Sequence, residues 1–166
     1  VFNQLEESEL FWKNSSEDNS IAILVNHMWG NMMSRWTDFL TTDGEKEWRN
    51  RDAEFENITS TKEEMLAKWN EGWECLFNAL KTVNEENLNE VIYIRNQGHS
   101  VIEAINRQLC HYSYHVGQIV FLGKLIKGNN WETLSIGKGE SASYNTNKFT
   151  QEKSTTHFTT EFLNDK

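Results

Sequence analysis

Three long stretches of this chain carry apolar residues at helical spacing, and no proline interrupts any of them. The first runs from about Asn19 to Leu40, with Ile21, Leu24, Val25, Met28, Met32, Trp36 and Phe39 on one stripe and Asn19 or Ser20 placed to cap it. The second runs from about Thr61 to Val83; Thr61 and Glu64 have capping-box spacing, and Met65, Leu66, Trp69, Trp73, Leu76, Phe77 and Leu80 form the apolar face. The third runs from about Ser100 to Lys127 and stops at Gly128, a residue suited to a helix C-terminus. Such stripes are stable only when they are buried against one another. Phe2, Leu5 and Leu10 read as the end of a further amphipathic helix already under way, with residues expected upstream of Val1. Together these segments predict an all-α protein, a four-helix bundle around one core.

Two long connections separate the helices. The first, about Thr41 to Ser60, is polar but carries Trp48 and Phe55, aromatics that argue against disorder. The second, about Asn84 to His99, contains the strand-like run Val91-Ile92-Tyr93-Ile94. The bundle domain is expected over residues 1–145. The Ser-, Thr- and Lys-rich segment 146–166 reads as an extended or disordered tail.

Composition narrows the function classes. With 166 residues, 12% of them aromatic, the chain can build a real core. Its formal net charge of −9 repels a phosphate backbone, so general nucleic-acid binding is disfavoured. No run is long and apolar enough to span a membrane. Two cysteines, Cys75 and Cys110, without a Cys-x-x-Cys, exclude a disulfide framework and a thiolate zinc site. They read as small buried residues of a protein in the reducing cytoplasm. The Asn-x-Ser/Thr triplets at Asn14 and Asn57 are then chance matches. Gly137-Lys138-Gly139 lacks the strand and spaced glycines of a phosphate loop.

The chemistry points to a metal. His111 and His115 lie four apart in the third helix, so their imidazoles leave one face about 6 Å apart along the axis. They continue a polar line through Glu103, Arg107 and Gln118 that has apolar neighbours on both flanks. His27 sits mid-way along the first long helix, in line with Asn31, Ser34 and Asp38. Two facing polar stripes can bring three imidazoles to one divalent ion, and three protein ligands leave a coordination position open. Each residue also has a plainer reading: His27 as a core histidine bonded to a carbonyl, His99 as a cap or loop residue, and His157 as a solvated tail residue. The loop from Asp43 to Asp52 places Arg49 and Arg51 beside Trp48, where they could clamp a carboxylate over a pocket or simply be solvated.

The run from Asn19 to His27, the run Ser34 to Leu40, the Asp43–Phe55 loop and the run Arg107 to Gln118 resemble the DinB-like superfamily of bacterial metal-binding four-helix bundles, in a branch of unknown function. The resemblance spans about Leu5 to Asn145. It implies long crossover connections, a Zn²⁺ or Ni²⁺ ion on His27, His111 and His115, and a homodimer. The chain departs from the pattern in a shortened first helix and in Gly137, where the pattern has proline. Relatives in the superfamily include S-transferases and an isomerase that use low-molecular-weight thiols such as bacillithiol. The resulting expectation is a metal-dependent thiol transferase, with Arg35, Arg49, Arg51 or Arg107 holding carboxylates of the cofactor. A metal-dependent hydrolase with Glu103 or Asp38 as base, and a non-catalytic dimeric metal-binding stress-response protein, are the alternatives.

Overall fold

The computed structural model describes residues 1–56, 59–157 and 159–160; Asn57 lies outside them. The chain is mainly helical, with one two-stranded antiparallel sheet. It divides into two compact units, Val1–Gly128 and Asn129–Lys166.

In the first unit, a short 3-10 turn (Phe2–Gln4) precedes α1 (Glu7–Leu10). The continuous N-terminal helix expected from Phe2, Leu5 and Leu10 is therefore absent from the described residues. Leu5 and Leu10 are nonetheless fully buried, because two short turns place them in the core as well as one helix would.

α2 (Ile21–Trp36) is the centre of the unit. Ser20 caps it, accepting from the Ile23 amide. Every residue of α2 except Trp29 and Met33 is buried, so this helix is covered on nearly all sides and not along one stripe. It ends at Trp36, earlier than its apolar pattern suggests. Asp38, at φ 48°, turns the chain out of the helix, and its carbonyl accepts from Thr41 and Thr42. Asp38 is exposed and no longer in line with His27.

α3 (Ala53–Glu56) is one turn inside the first long connection. α4 (Lys62–Leu80) follows, with Thr61 accepting from the Glu64 amide. It packs along α2, burying Met65 and Leu76.

The strand-like run becomes β1 (Val91–Ile94), paired with β2 (Gln97–Ser100) in register Val91↔Ser100 and Ile94↔Gln97. Arg95 and Asn96 both have positive φ, the backbone of a two-residue hairpin turn whose twist matches that of the strands. Asp43 holds this turn, its carboxylate accepting from the Arg95 and Asn96 amides at 2.8 Å each. Ser34 of α2 donates to the Gly44 carbonyl and accepts from the Lys46 amide. The first connection is thus pinned between α2 and the hairpin.

α5 (Val101–Lys127) begins at a capping box of Ser100 and Glu103 and ends at Gly128, at φ 53°. The cysteines are less hidden than expected: Cys75 is half-buried, and Cys110 points to solvent.

The second unit holds α6 (Ser141–Phe149). α6 takes in residues 146–149 of the segment expected to be an extended or disordered tail. A polar composition does not forbid a helix when a local pair supports it; Lys148 lies 5.7 Å over the Tyr144 ring, four residues back.

Candidate metal centre

α2 and α5 bring His27, His111 and His115 together. One nitrogen from each lies within 4.8 Å of the others, so the three could hold a metal ion. Bonds of about 2.0–2.1 Å to one ion require the widest pair to close by roughly 1 Å. The helical pair is already close, with His111 Nε2 and His115 Nε2 3.0 Å apart. This contact is an N–H···N hydrogen bond: Gln108 donates to His111 Nδ1, so His111 Nε2 carries the proton and donates to His115 Nε2, and a metal ion would displace that proton.

The remaining ring nitrogens are held by protein groups. His27 Nδ1 donates to Glu54 Oε2 at 2.8 Å, and His115 Nδ1 donates to Gln118 Oε1 at 2.7 Å. Both partners are acceptors, so each ring keeps its proton on Nδ1 and presents Nε2 as a lone pair. His111 Nδ1 lies 3.0 Å from the Gln108 carboxamide, which also donates to Asn31 Oδ1. Tyr112 donates to the same Asn31 oxygen and accepts from the Trp36 indole. Burial pushes the Tyr112 phenol well above its ordinary range, so it stays a donor.

The electrostatics favour the neutral form of the two α5 rings. Burial, then the neighbouring His115, His27, Arg35 and Arg49, lower His111 from 6.5 to about 4. Burial also lowers His115, against the hydrogen bond to Gln118. Neutral imidazole is the form that binds metal, so the donor set suits a divalent ion.

Glu54 is a residue at the histidines that the sequence reading missed. It comes from α3 in the first long connection and is buried. Besides His27, it accepts from Arg49 Nε at 2.7 Å and Nη2 at 3.1 Å. Burial alone would raise its carboxyl, but the hydrogen bonds from His27 and Arg49 and the Arg49 charge outweigh that and hold it below the usual range. A carboxylate behind a metal-facing histidine fixes the ring and makes it a better donor. Phe55, next in sequence, stacks on His27 at 4.7 Å. The available signal was a carboxylate adjoining an aromatic in a loop too long to be idle.

A cavity of about 200 Å³ opens beside the histidines, with His27 and His111 in its wall. Arg35, Arg49, Arg51 and Arg107 all line it, as does Arg95 from the hairpin turn, which no spacing rule pointed to. Their circumstances differ. The Arg49 guanidinium already clamps Glu54 and reaches Glu45 at 3.1 Å. Arg51 is exposed and lies 5.3 Å over the Phe55 ring. Arg107 is exposed and donates to His99 Nε2 at 2.8 Å, so His99 is a strand residue that steadies an arginine and not a cap. Arg35 is buried, and its Nε has no hydrogen-bond partner among the described residues.

Other expected members are elsewhere. Neither Glu103 nor Asp38 lines the cavity: Glu103 is spent on the α5 cap, and Asp38 lies beyond α2. Trp48 is 62% exposed and does not line the cavity. His157 is exposed.

No helix among the described residues is long and apolar enough to cross a membrane. Neither the curated proteins nor the solved structures hold a significant match to the chain. Residues 1–140, which include the three histidines, Glu54 and the five arginines, match the family described as "Protein of unknown function (DUF1572)". On that match the chain belongs to the DUF1572 family.

Proposed function

We propose that His27, His111 and His115 hold one divalent metal ion, Zn²⁺ or Ni²⁺, in a four-helix bundle of the DinB-like type, and that the site catalyses thiol-dependent group transfer. The observation that carries this reading is the juxtaposition of three histidine nitrogen donors with an arginine-lined cavity. Three protein donors leave room for a further ligand, which is the arrangement of catalytic sites.

When bound, the metal supplies a Lewis acid that lowers the pKa of a thiol sulfur beside it. The chain's own residues do the rest. Glu54, itself clamped by Arg49, holds the His27 ring by its Nδ1–H, and Gln118 does the same for His115. The arginines at the cavity draw in the anionic end of a low-molecular-weight thiol such as bacillithiol and orient it. The thiol proton leaves to solvent, the sulfur forms a bond to the electrophilic atom, and the leaving group departs with the bonding pair.

A hydrolase has less support. Its expected bases lie away from the cavity, and Glu54 is held ionised by two cationic or donor partners, which suits a positioning group better than a proton shuttle. In the test, metal-loaded protein conjugates a model electrophile with a small biological thiol, and the chelated protein does so only at the buffer rate. No metal-dependent turnover with any such thiol, alongside a bound metal, would leave the non-catalytic metal-binding protein as the reading.

We also propose that the protein is cytoplasmic and forms a homodimer. Phe77 of α4 and Leu109 of α5 stand 53% and 63% exposed beside a largely apolar groove that includes Trp36, Trp73 and Ile105. Among the described residues, Trp73 Nε1 is buried there without a hydrogen-bond partner. Light scattering should give a dimeric mass at micromolar concentration, and Leu109→Glu should give the monomer; a monomeric wild type would refute the dimer.

A further inference from the structure

Arg35 is the most anomalous charge in the molecule. It is 6% exposed, lies on the most buried helix, and its Nε is buried with no hydrogen-bond partner among the described residues. Burying an uncompensated charge is costly, and folded proteins normally pair one or discard it. The surroundings make matters worse. Arg107 and Arg49 are close enough to repel it, and five arginines share one cavity wall in a chain of net charge −9. Glu45 and Glu54 offset them only in part, and both are already engaged with Arg49. Burial and the two neighbouring arginines lower Arg35 to about 10, which leaves it charged at neutral pH.

We infer that Arg35 is the deep anchor of an oxyanion subsite, which takes a carboxylate or phosphoryl group of the ligand and seats it beside the metal-facing histidines. The terminal guanidinium nitrogens offer the planar pair of N–H donors that such a group accepts side by side. Arg51, Arg95 and Arg107 stand exposed at the same cavity and supply attraction on approach. The ~200 Å³ volume admits a small molecule or the anionic end of a larger one. The inference deepens the proposed transferase by assigning its charged-group pocket, but it does not need the metal: the subsite is preformed by protein alone.

The test uses metal-free protein, with malonate and inorganic phosphate as separate calorimetric probes. Saturable binding of at least one probe is expected, and the stronger of the two names the oxyanion. Arg35→Met should weaken it at least about tenfold, Arg35→Lys less, and Arg107→Gln only a few-fold. In anion-free buffer, Arg35→Met should melt no lower than wild type, because an apolar side chain of similar length removes a buried unpaired charge. His115→Ala, which removes a metal ligand outside the cavity wall, should keep probe binding, so failure of the metal reading and failure of this one are separately visible. Absence of saturable binding to both probes, equal affinity in Arg35→Met, or a lower melting temperature of Arg35→Met without anion would each overturn the assignment.

Discussion

Replacing His111 by alanine should lower the affinity for Zn²⁺ by about a hundredfold or more. A zinc site of full ligand set is worth roughly 10–16 kcal/mol, so each histidine carries on the order of 3 kcal/mol. His111 is also the ring whose Nε2 lies 3.0 Å from that of His115, so the variant loses the helical chelate as well as one donor. Competition against a metallochromic chelator measures it; an unchanged dissociation constant would remove His111 from the site. The same ring makes the metal-free protein sensitive to acid. Its folded value is lowered to about 4 from 6.5. Below 6.5 the unfolded chain takes up a proton that the folded chain refuses until about 4. Stability is therefore complete above that window and falls as the pH drops through it. His115 is shifted in the same direction, for the same first cause. Denaturant titrations of the metal-free protein from neutral pH to about 4 should show this decline. His111→Ala should flatten it, and a slope equal to wild type would mean that the buried imidazole is not its source.

Glu54→Ala should cost about 3–5 kcal/mol of stability and lower metal affinity a further 10–100-fold. The stability loss arises because the Arg49 guanidinium, 3% exposed, would keep only Glu45 as a charged partner, and His27 Nδ1–H would lose its acceptor. The affinity loss arises because the ring is then free to turn. For a chain of this size the melting temperature should fall by roughly 10 °C. Gly30→Ala separates the two effects. A β-carbon at Gly30 would clash with Glu54 Oε1, so the carboxylate must move while its charge stays. Its outcome should be weaker metal binding with a smaller stability loss than Glu54→Ala. Wild-type metal affinity in both variants would show that Glu54 is a structural ion-pair partner with no bearing on the histidines.

Both predictions rest on residues of very different visibility. His111 and His115 were legible because helical periodicity converts a spacing of four into a shared face before any tertiary contact forms. His27 was legible for a related reason: an ionisable residue in the middle of an apolar pattern has to be satisfied somehow. The caps at Ser20, Thr61 and Ser100 and the stop at Gly128 were equally local. Arg35 was visible as a candidate, but its isolation was not, since a charge on a helix looks the same whether the opposite wall is water or more arginine. The N-terminal turns and α6 misled for a different reason: short or polar helices carry too little periodicity to separate them from a longer helix or a coil.

What the sequence determined by itself is the set of long helices, their caps and three histidines able to meet, because hydrogen bonding and apolar spacing act within a few residues. Only the tertiary structure decided how the intervening segments are used. Asp43 fastens the hairpin turn from 52 residues away, which delivers Arg95 to the cavity. The first connection folds back so that Glu54 meets His27 across 27 residues and occupies Arg49. Side chains on loops take their partners from whatever the closed chain brings within hydrogen-bond reach. No local pattern records that choice, although it sets the charge and the orientation of the histidine site.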